Sequence, residues 1–331
     1  MSQNKILCYG ELFIDMFASR DPQASHQTFF QHPGGSPAIV AFAAAGYGAS
    51  AYFIGKLSDD HFANYLSDYM LDNNVKMDYS IRSKEHRCTI SFVRHDAQGE
   101  REFEIYRDSH KAADLAFTAD EWQQEWFADA KFLHCGSNCQ LSLSSHQATE
   151  AGVKMARENN TLVSYDPNIR PNMWGDHDLL KQRVHDIFPY ADIIKMSDDE
   201  AVFLFPGKDE ETIAKELFAM KCQTMLITRG GNGASAYHPN HPPLHLGPLN
   251  ASGTDKIEVV DTTGAGDNFI GAFMFRVLNL NLLKDGITLK DFSVTQLESL
   301  VKFAHAAATI SVTTRGGMDS SPSLQQVEQQ L

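Results

Sequence analysis

The residues best suited to chemistry sit together late in the chain, in Asp261-Thr262-Thr263-Gly264-Ala265-Gly266-Asp267. A β-branched run, 257–260, precedes them and predicts a strand. Phe269-Ile270-Gly271-Ala272-Phe273 follows and predicts a helix. A strand, a glycine turn and a helix start together build an anion site. The first backbone N–H groups of a helix lack internal partners, and the helix dipole adds partial positive charge there. Gly264 and Gly266 let that backbone approach a ligand closely. Asp267 is the unusual member, because a carboxylate repels a resting phosphate. Beside a hydroxyl that attacks a phosphoryl group it is a general base, while the N–H groups take up the charge that develops on transfer. At its ordinary pKa of about 3.9 such an aspartate cannot ionise an alcohol beforehand. The expectation is late proton transfer, with positioning supplying most of the rate.

Simpler readings compete with this one. Asp267 could be an N-cap in a tight turn. A dinucleotide fingerprint would need glycine where Phe269 stands, and no Gly-Lys-Ser/Thr of a Walker loop occurs. The whole string resembles the C-terminal signature of the ribokinase-like (PfkB) sugar kinase family. Gln31-His32-Pro33-Gly34-Gly35-Ser36-Pro37-Ala38-Ile39-Val40-Ala41 resembles its N-terminal signature, with Ile39 where the family usually has an asparagine that touches the sugar. The departure implies either one missing sugar contact or an unusual substrate at that point. The resemblance extends from Gly10 to about Ser320.

It implies an ATP-dependent kinase that phosphorylates a sugar hydroxymethyl group and needs Mg²⁺. Asp267 would be the base, with Gly264, Ala265 and Gly266 as the anion hole. Asp15, after the first apolar strand at Lys5-Ile6-Leu7-Cys8-Tyr9, would grip the sugar with Gly34 and Gly35. Asp166-Pro167-Asn168-Ile169-Arg170 resembles fructokinases and 2-keto-3-deoxygluconate kinases. There Arg170 would fork onto phosphate or carboxylate, and Asn168 would offer its amide to phosphate or metal-bound water. Ser197-Asp198-Asp199-Glu200 has the form of the fructokinase branch, with Glu200 acting on Mg²⁺ through water, or closing a capping box with Ser197. Thr228, Gly230 and Gly233 would lie along the nucleotide, with His305 near the base and Gly316 in the loop that closes that side. Asp261, Thr263 and Ser320 match positions that hold a monovalent cation such as K⁺ in relatives. Tyr106-Arg107 also resembles the fructokinase branch, so Arg107 either reaches the substrate or is a surface charge. Fructose is the first expected substrate, then 2-keto-3-deoxygluconate, then a riboside. A sugar- or nucleotide-sensing pseudokinase is the non-enzymatic alternative.

The remaining elements must position these residues. Alternating strands and helices from Lys5 to Thr228 predict an α/β protein, a three-layer α/β/α sandwich with a mostly parallel central sheet, in a single domain over 1–331. Two alternating runs, 88–95 and 101–107, joined by a hairpin turn at 96–99, predict a small β-sheet lid. The lid is formed from about 16–31 and 88–112, and its exposed edge suits a homodimer. The Ala38–Ala45 helix is built of small residues and must pack closely on something. His238-Pro239-Asn240-His241-Pro242-Pro243 reads as a surface loop because of its prolines, and 296–313 as an alanine-rich helix.

The chain has 331 residues, 43% of them hydrophobic, and a net charge of −14. Bulk charge gives nucleic acid or an anionic membrane surface no attraction. No apolar run reaches membrane-spanning length, and the chain opens on a strand without a targeting leader. Five scattered cysteines fit reduced thiols in a cytoplasmic protein.

Overall fold

The computed structural model describes residues 4–19, 26–95, 101–108, 110–249, 258–284 and 287–331. The first half contains β1 (Lys5–Tyr9), β2 (Phe13–Ala18), β3 (Phe29–Gly34), α1 (Ser36–Gly46), β4 (Ser50–Ser58), α2 (His61–Asp72), β5 (Lys76–Ser83), β6 (Ile90–His95) and β7 (Arg101–Tyr106). It continues with β8 (Ala130–Gly136), α3 (Leu143–Glu158), β9 (Leu162–Asp166), α4 (His177–Ile187), β10 (Ile193–Ser197), α5 (Asp198–Leu204) and α6 (Glu210–Ala219). The last part holds β11 (Thr224–Thr228), β12 (Ala234–His238), β13 (His241–Leu246), α7 (Ala265–Asn279), α8 (Val294–Ser311) and α9 (Leu324–Gln329).

Nine strands form one sheet in the order β13-β12-β11-β10-β9-β8-β1-β4-β5. It is parallel except at the β11-β12-β13 end. Its central strands, β1, β8, β9, β10 and β11, are buried on both faces, as parallel sheets covered by helices require. In β1, Ile6 and Cys8 join one core with α1, α2, α7, α8 and α9, whereas Leu7 and Tyr9 join the other with α3, α4, α5 and α6. Period-2 alternation in a single strand thus feeds two helical layers, and the α/β/α sandwich expected from the sequence is present.

The second sheet has four strands, β3-β2-β6-β7, with β2 and β6 parallel and the outer pairs antiparallel. It is the expected lid, with strands that reach from Phe13 to Gly34 in its first piece. The hairpin turn expected at 96–99, and 20–25 of the first piece, lie outside the described residues.

The small-residue helix finds its partner in α7. A Cβ on Gly271 would stand 3.0 Å from the Val40 carbonyl and 3.2 Å from the Ala43 Cβ, so α1 and α7 pack almost backbone to backbone. That contact carries the start of α1 to the start of α7.

Two expectations are corrected. Residues 258–260 are not a strand; Val260 and Asp261 donate their N–H groups to the Val312 carbonyl at the end of α8 instead. Ile257 lies outside the described residues. The histidine–proline tract is not a loop but belongs to the β12–β13 hairpin. Pro242 and Pro243 are tolerated because β13 is an edge strand. His238 and His241 stack there at 4.7 Å and bond the carbonyls of Leu289 and Phe292. The alanine-rich helix runs Val294–Ser311, two residues earlier than expected at each end.

Candidate active site

The helix α7 starts without a side-chain cap. Its N-cap is Gly264, in the left-handed region at φ 77°, which glycine adopts without strain. Asp267 lies inside the first turn and is not the cap, so the N-cap alternative does not hold. The N–H groups of that turn therefore open onto a cavity of about 940 Å³ whose wall includes Gly264, Gly266 and Asp267. The chemistry suits an anionic group, since the first N–H groups of a helix and its dipole converge on one place, with the Ala265 N–H turned back onto the Thr262 carbonyl at 3.3 Å.

Asp267 is 7% exposed, and its Oδ1 accepts a hydrogen bond of 2.6 Å from Ser36 Oγ at the head of α1. Burial, reinforced by Asp166, pushes the carboxyl up to about 7; the Ser36 hydroxyl, Lys195 and Arg170 pull against that rise. The expectation of an ordinary carboxylate near 3.9 is thus corrected. A base with a pKa near neutrality has far more driving force for taking an alcohol proton, which is where acid–base catalysis works best.

Behind the turn lies a buried ion pair. Lys195, on β10, donates to Asp166 Oδ2, at the end of β9, across 2.8 Å. The other Asp166 oxygen accepts the Asn168 N–H at 3.1 Å, which holds Asn168 in the left-handed region at φ 41°. A Cβ on Gly266 would collide with the Lys195 ammonium, so glycine is required there for a charge as well as for a ligand. Burial opposes the Lys195 charge, but Asp166, Glu200 and Asp267 outweigh it and raise its pKa.

Glu200 spans two segments. Its Oε1 accepts the Ile169 N–H at 2.7 Å and its Oε2 the Ser197 N–H at 2.8 Å. The Ser197 hydroxyl in turn accepts from the Glu200 N–H at 3.1 Å, so the capping box exists as well as a carboxylate on the cavity wall. Arg170 is exposed at the rim of the same cavity. Asp261 ties the glycine turn to the C-terminal loop: Oδ1 accepts the Thr263 N–H at 2.7 Å and Oδ2 the Gly316 N–H at 3.1 Å.

The opposite wall is the lid. Phe13, Asp15, Ser91, Ile105 and Arg107 share its inner face. A Cβ on Gly34 would strike the Asp15 carboxylate, and one on Gly35 the Glu11 carbonyl, so Gly34 clears the space in which Asp15 stands and Gly35 permits the close approach of the Glu11 backbone. Arg107 is not a surface charge. It is 5% exposed and ion-paired to Asp114 at 2.5 Å, and Thr89 Oγ1 donates to the same carboxylate at 2.6 Å. Glu11, 1% exposed, accepts from the Ser36 N–H at 3.2 Å through Oε1. Its Oε2 and the Asn138 Oδ1 have no protein partner although both are buried on this wall. Burial raises the Glu11 pKa, and Arg107 opposes the rise. Unsatisfied buried acceptors of this kind suit a ligand rich in hydroxyl donors.

Of the residues singled out in the sequence, Asp15, Gly35, Arg107, Asn168, Arg170, Ser197, Glu200, Thr228, Asp261, Thr263, Gly264, Gly266 and Asp267 share this one cavity. Gly34, Ala265, Gly230, Gly233, Gly316, His305 and Ser320 are not on its wall. Gly233 packs on the backbone of 246–247, and His305 is buried within α8, where burial lowers its pKa. Ser320 Oγ donates to the Gly317 carbonyl at 3.2 Å. Sequence reasoning missed Ser36, Glu11, Asn138 and Lys195. Lys195 had a signal: a cation inside the apolar strand Ile193-Ile194-Lys195-Met196 requires a buried anion.

This arrangement has relatives among known proteins. Probable fructokinase-6, chloroplastic, of Arabidopsis thaliana is 32% identical over 331 residues, covering 98% of this chain and 82% of that protein. Fructokinase-1 of Zea mays is 33% identical over 328 residues, covering 98% and 96%. The crystal structure of fructokinase with bound ATP from Xylella fastidiosa superposes with a TM-score of 0.89 at 29% identity, covering 99% of this chain and 98% of that one. The pattern of the pfkB family carbohydrate kinases matches residues 3–324. On the strength of that match and of full-length relatives above 30% identity, the chain belongs to the pfkB family of carbohydrate kinases.

Proposed function

We propose that the protein is an ATP-dependent fructokinase that transfers the γ-phosphoryl group to a hydroxymethyl group of the sugar. One observation carries this reading: a buried aspartate, its pKa raised to about 7, stands in the first turn of an uncapped helix facing a hydroxyl-binding wall. Asp267 accepts the proton of the attacking hydroxyl while Ser36 fixes its orientation. The N–H groups around Gly264, Ala265 and Gly266 hold the charge on the moving phosphoryl group. ATP supplies that group, and Mg²⁺ neutralises the phosphates. Glu200 would meet the metal through water, with Asn168 and Arg170 on the phosphates. Thr228, on the cavity wall, marks the nucleotide side, with Gly230, Gly233 and Gly316 beyond that wall and His305 buried within α8. Asp261, Thr263 and Ser320 would hold K⁺, whose charge would stiffen the turn.

Asp15, Glu11, Asn138 and Arg107 grip the sugar. The Arg107 charge is already met by Asp114, and Glu11 is close by, so this wall favours a neutral sugar over a sugar acid. Arg170 at the rim favours the second reading, 2-keto-3-deoxygluconate, whose carboxylate it could fork. The outer face of the lid carries Phe29, Phe92 and Tyr106 in an edge-to-face row, with Tyr106 61% exposed, and supports a homodimer through the lid.

The test is ADP release from Mg-ATP with fructose, 2-keto-3-deoxygluconate, ribose, a riboside or no sugar. Release that depends on fructose is expected. Release with the keto acid alone moves the substrate to the second reading. Sugar binding without ADP from any of them identifies a sensor instead.

A further inference from the structure

We propose that Lys195 is a positioning residue for phosphoryl transfer: its ammonium, clamped by Asp166 behind Gly266, keeps Asp267 in the ionised form that accepts the proton. The inference rests on Asp267 being the base.

The geometry is specific. Strands β9 and β10 are neighbours, paired through Ile193 with Ser164 and Ile194 with Tyr165. That register sets Asp166 and Lys195 side by side at the edge where the cavity lies. Their side chains are 1% and 7% exposed and meet at 2.8 Å. The ammonium occupies the space that a Cβ on Gly266, the residue that precedes Asp267, would need. The groups that face Asp267 are Asp166 from β9, Arg170 from the loop after it, Lys195 from β10 and Ser36 from α1; Glu200 from α5 acts on Lys195. Two carboxylates therefore press on the pair around the base, and Lys195 is the buried cation set against them. Glu200 draws on the same cation, together with the two backbone N–H groups that its oxygens accept.

A structural role explains the pair poorly. Replacing a buried ion pair by apolar residues of similar volume is commonly neutral or stabilising, so the sheet gains little from two desolvated charges. What the pair supplies is a fixed field at the next residue along the turn. Burial raises the proton affinity of Asp267 most and Asp166 adds to the rise, while the Ser36 hydroxyl and Lys195 pull against it.

The two halves of the pair act with opposite sign, and this gives the test. The acid limb of kcat/KM against pH reports the base in the free enzyme. In Lys195→Met the limb moves up by about one pH unit, and activity recovers on the alkaline side. In Asp166→Asn it moves down by a similar amount. Each single variant leaves a buried charge unpaired and risks misfolding, so the Asp166→Asn/Lys195→Met double variant is measured too. It removes both charges, and its limb returns close to that of the parent. Lys195→Arg keeps the parent limb, and calorimetric MgADP affinity is unchanged in Lys195→Met. A limb that stays in place in all variants overturns the proposal and leaves the pair a structural feature. An unmoved limb together with weakened MgADP binding also overturns it and makes Lys195 a phosphate ligand. Asp267→Ala, run alongside, tests the underlying reading separately: preserved turnover there removes Asp267 as the base whatever the limbs do.

Discussion

The two walls of the cavity are built in different ways. The turn wall is backbone and buried charge: an uncapped helix start on α7, a carboxylate fixed by Ser36, and an ion pair set in two central strands. The lid wall consists of side chains on a four-stranded sheet, several of them part-exposed, and its Asp15 stands in space cleared by Gly34. Groups packed into a sheet keep their geometry whether or not a ligand is present, which is what a transition state requires. Groups on a small sheet can close over a sugar and release it. Damage to the turn wall should therefore appear in kcat, and damage to the lid wall in KM.

The sharpest test is Asp267→Asn. Its kcat should fall about 10²–10⁴-fold with little change in sugar KM, measured by steady-state ADP release. The parent enzyme should lose kcat/KM as pH falls through about 7, where the base takes up its proton. Stability should move the other way. The folded pKa of Asp267 is raised above its unfolded value, so its charge costs stability above pH 7 and the cost is relieved as pH falls from about 7 to about 4. Asn removes the charge, so the variant should be more stable than the parent at alkaline pH, on the order of 4 kcal/mol, and the advantage should vanish on acidification in denaturant titrations. Next in size is Arg107→Met, which strands Asp114 and should cost about 3–5 kcal/mol of stability. Arg107→Met/Asp114→Asn should recover most of the stability but keep a raised sugar KM. If the double variant binds sugar normally, Arg107 only holds the lid together. The smallest effect is expected from Gly34→Ala, whose methyl displaces the Asp15 carboxylate. Loss of one charged hydrogen bond predicts a sugar KM about 10–100-fold higher at near-parental kcat. A fall in kcat with KM unchanged would erase the distinction between the two walls.

The same contrast governs what could be read from the sequence. The glycine turn was legible because its work is done by contiguous backbone, so seven successive residues state it. The alternating strands and helices were legible because burial on two faces leaves period-2 and small-residue patterns, as in β1 and α1. Glu11 and Asn138 were not, because each acquires its meaning from residues far along the chain; Lys195 was marked by its apolar strand, but Asp166 as its partner was not. The raised pKa of Asp267 was equally hidden, since burial belongs to the packed molecule and not to the tripeptide around it. Val259 and Val260 show a different failure. They are β-branched and extended in composition, yet they are 59% and 45% exposed on the cavity side and their segment is tied to the end of α8, so no strand forms. Ile39, the departure from the sugar-contacting asparagine, also gains a meaning from packing. It is 4% exposed and lies against Gly264 and Gly317, where its methyl groups brace the turn.

Asp319 joins the two walls. It accepts from His32 on β3 at 2.9 Å and from the Tyr69 hydroxyl on α2, and it lies three residues after Gly316, whose N–H is bonded to Asp261 beside the turn. The bond to Asp319 raises the His32 pKa, so this fastening is complete below about pH 6.5 and weakens as pH rises through the raised value. The lid is thus moored to the loop that steadies the anion hole. By thermodynamic reciprocity, whatever preference a sugar under the lid exerts for an ordered turn, a nucleotide at the turn must return as an equal preference for a closed lid. Order of addition would then be a matter of rates alone, and the cooperativity between the two substrates would be the same from either direction.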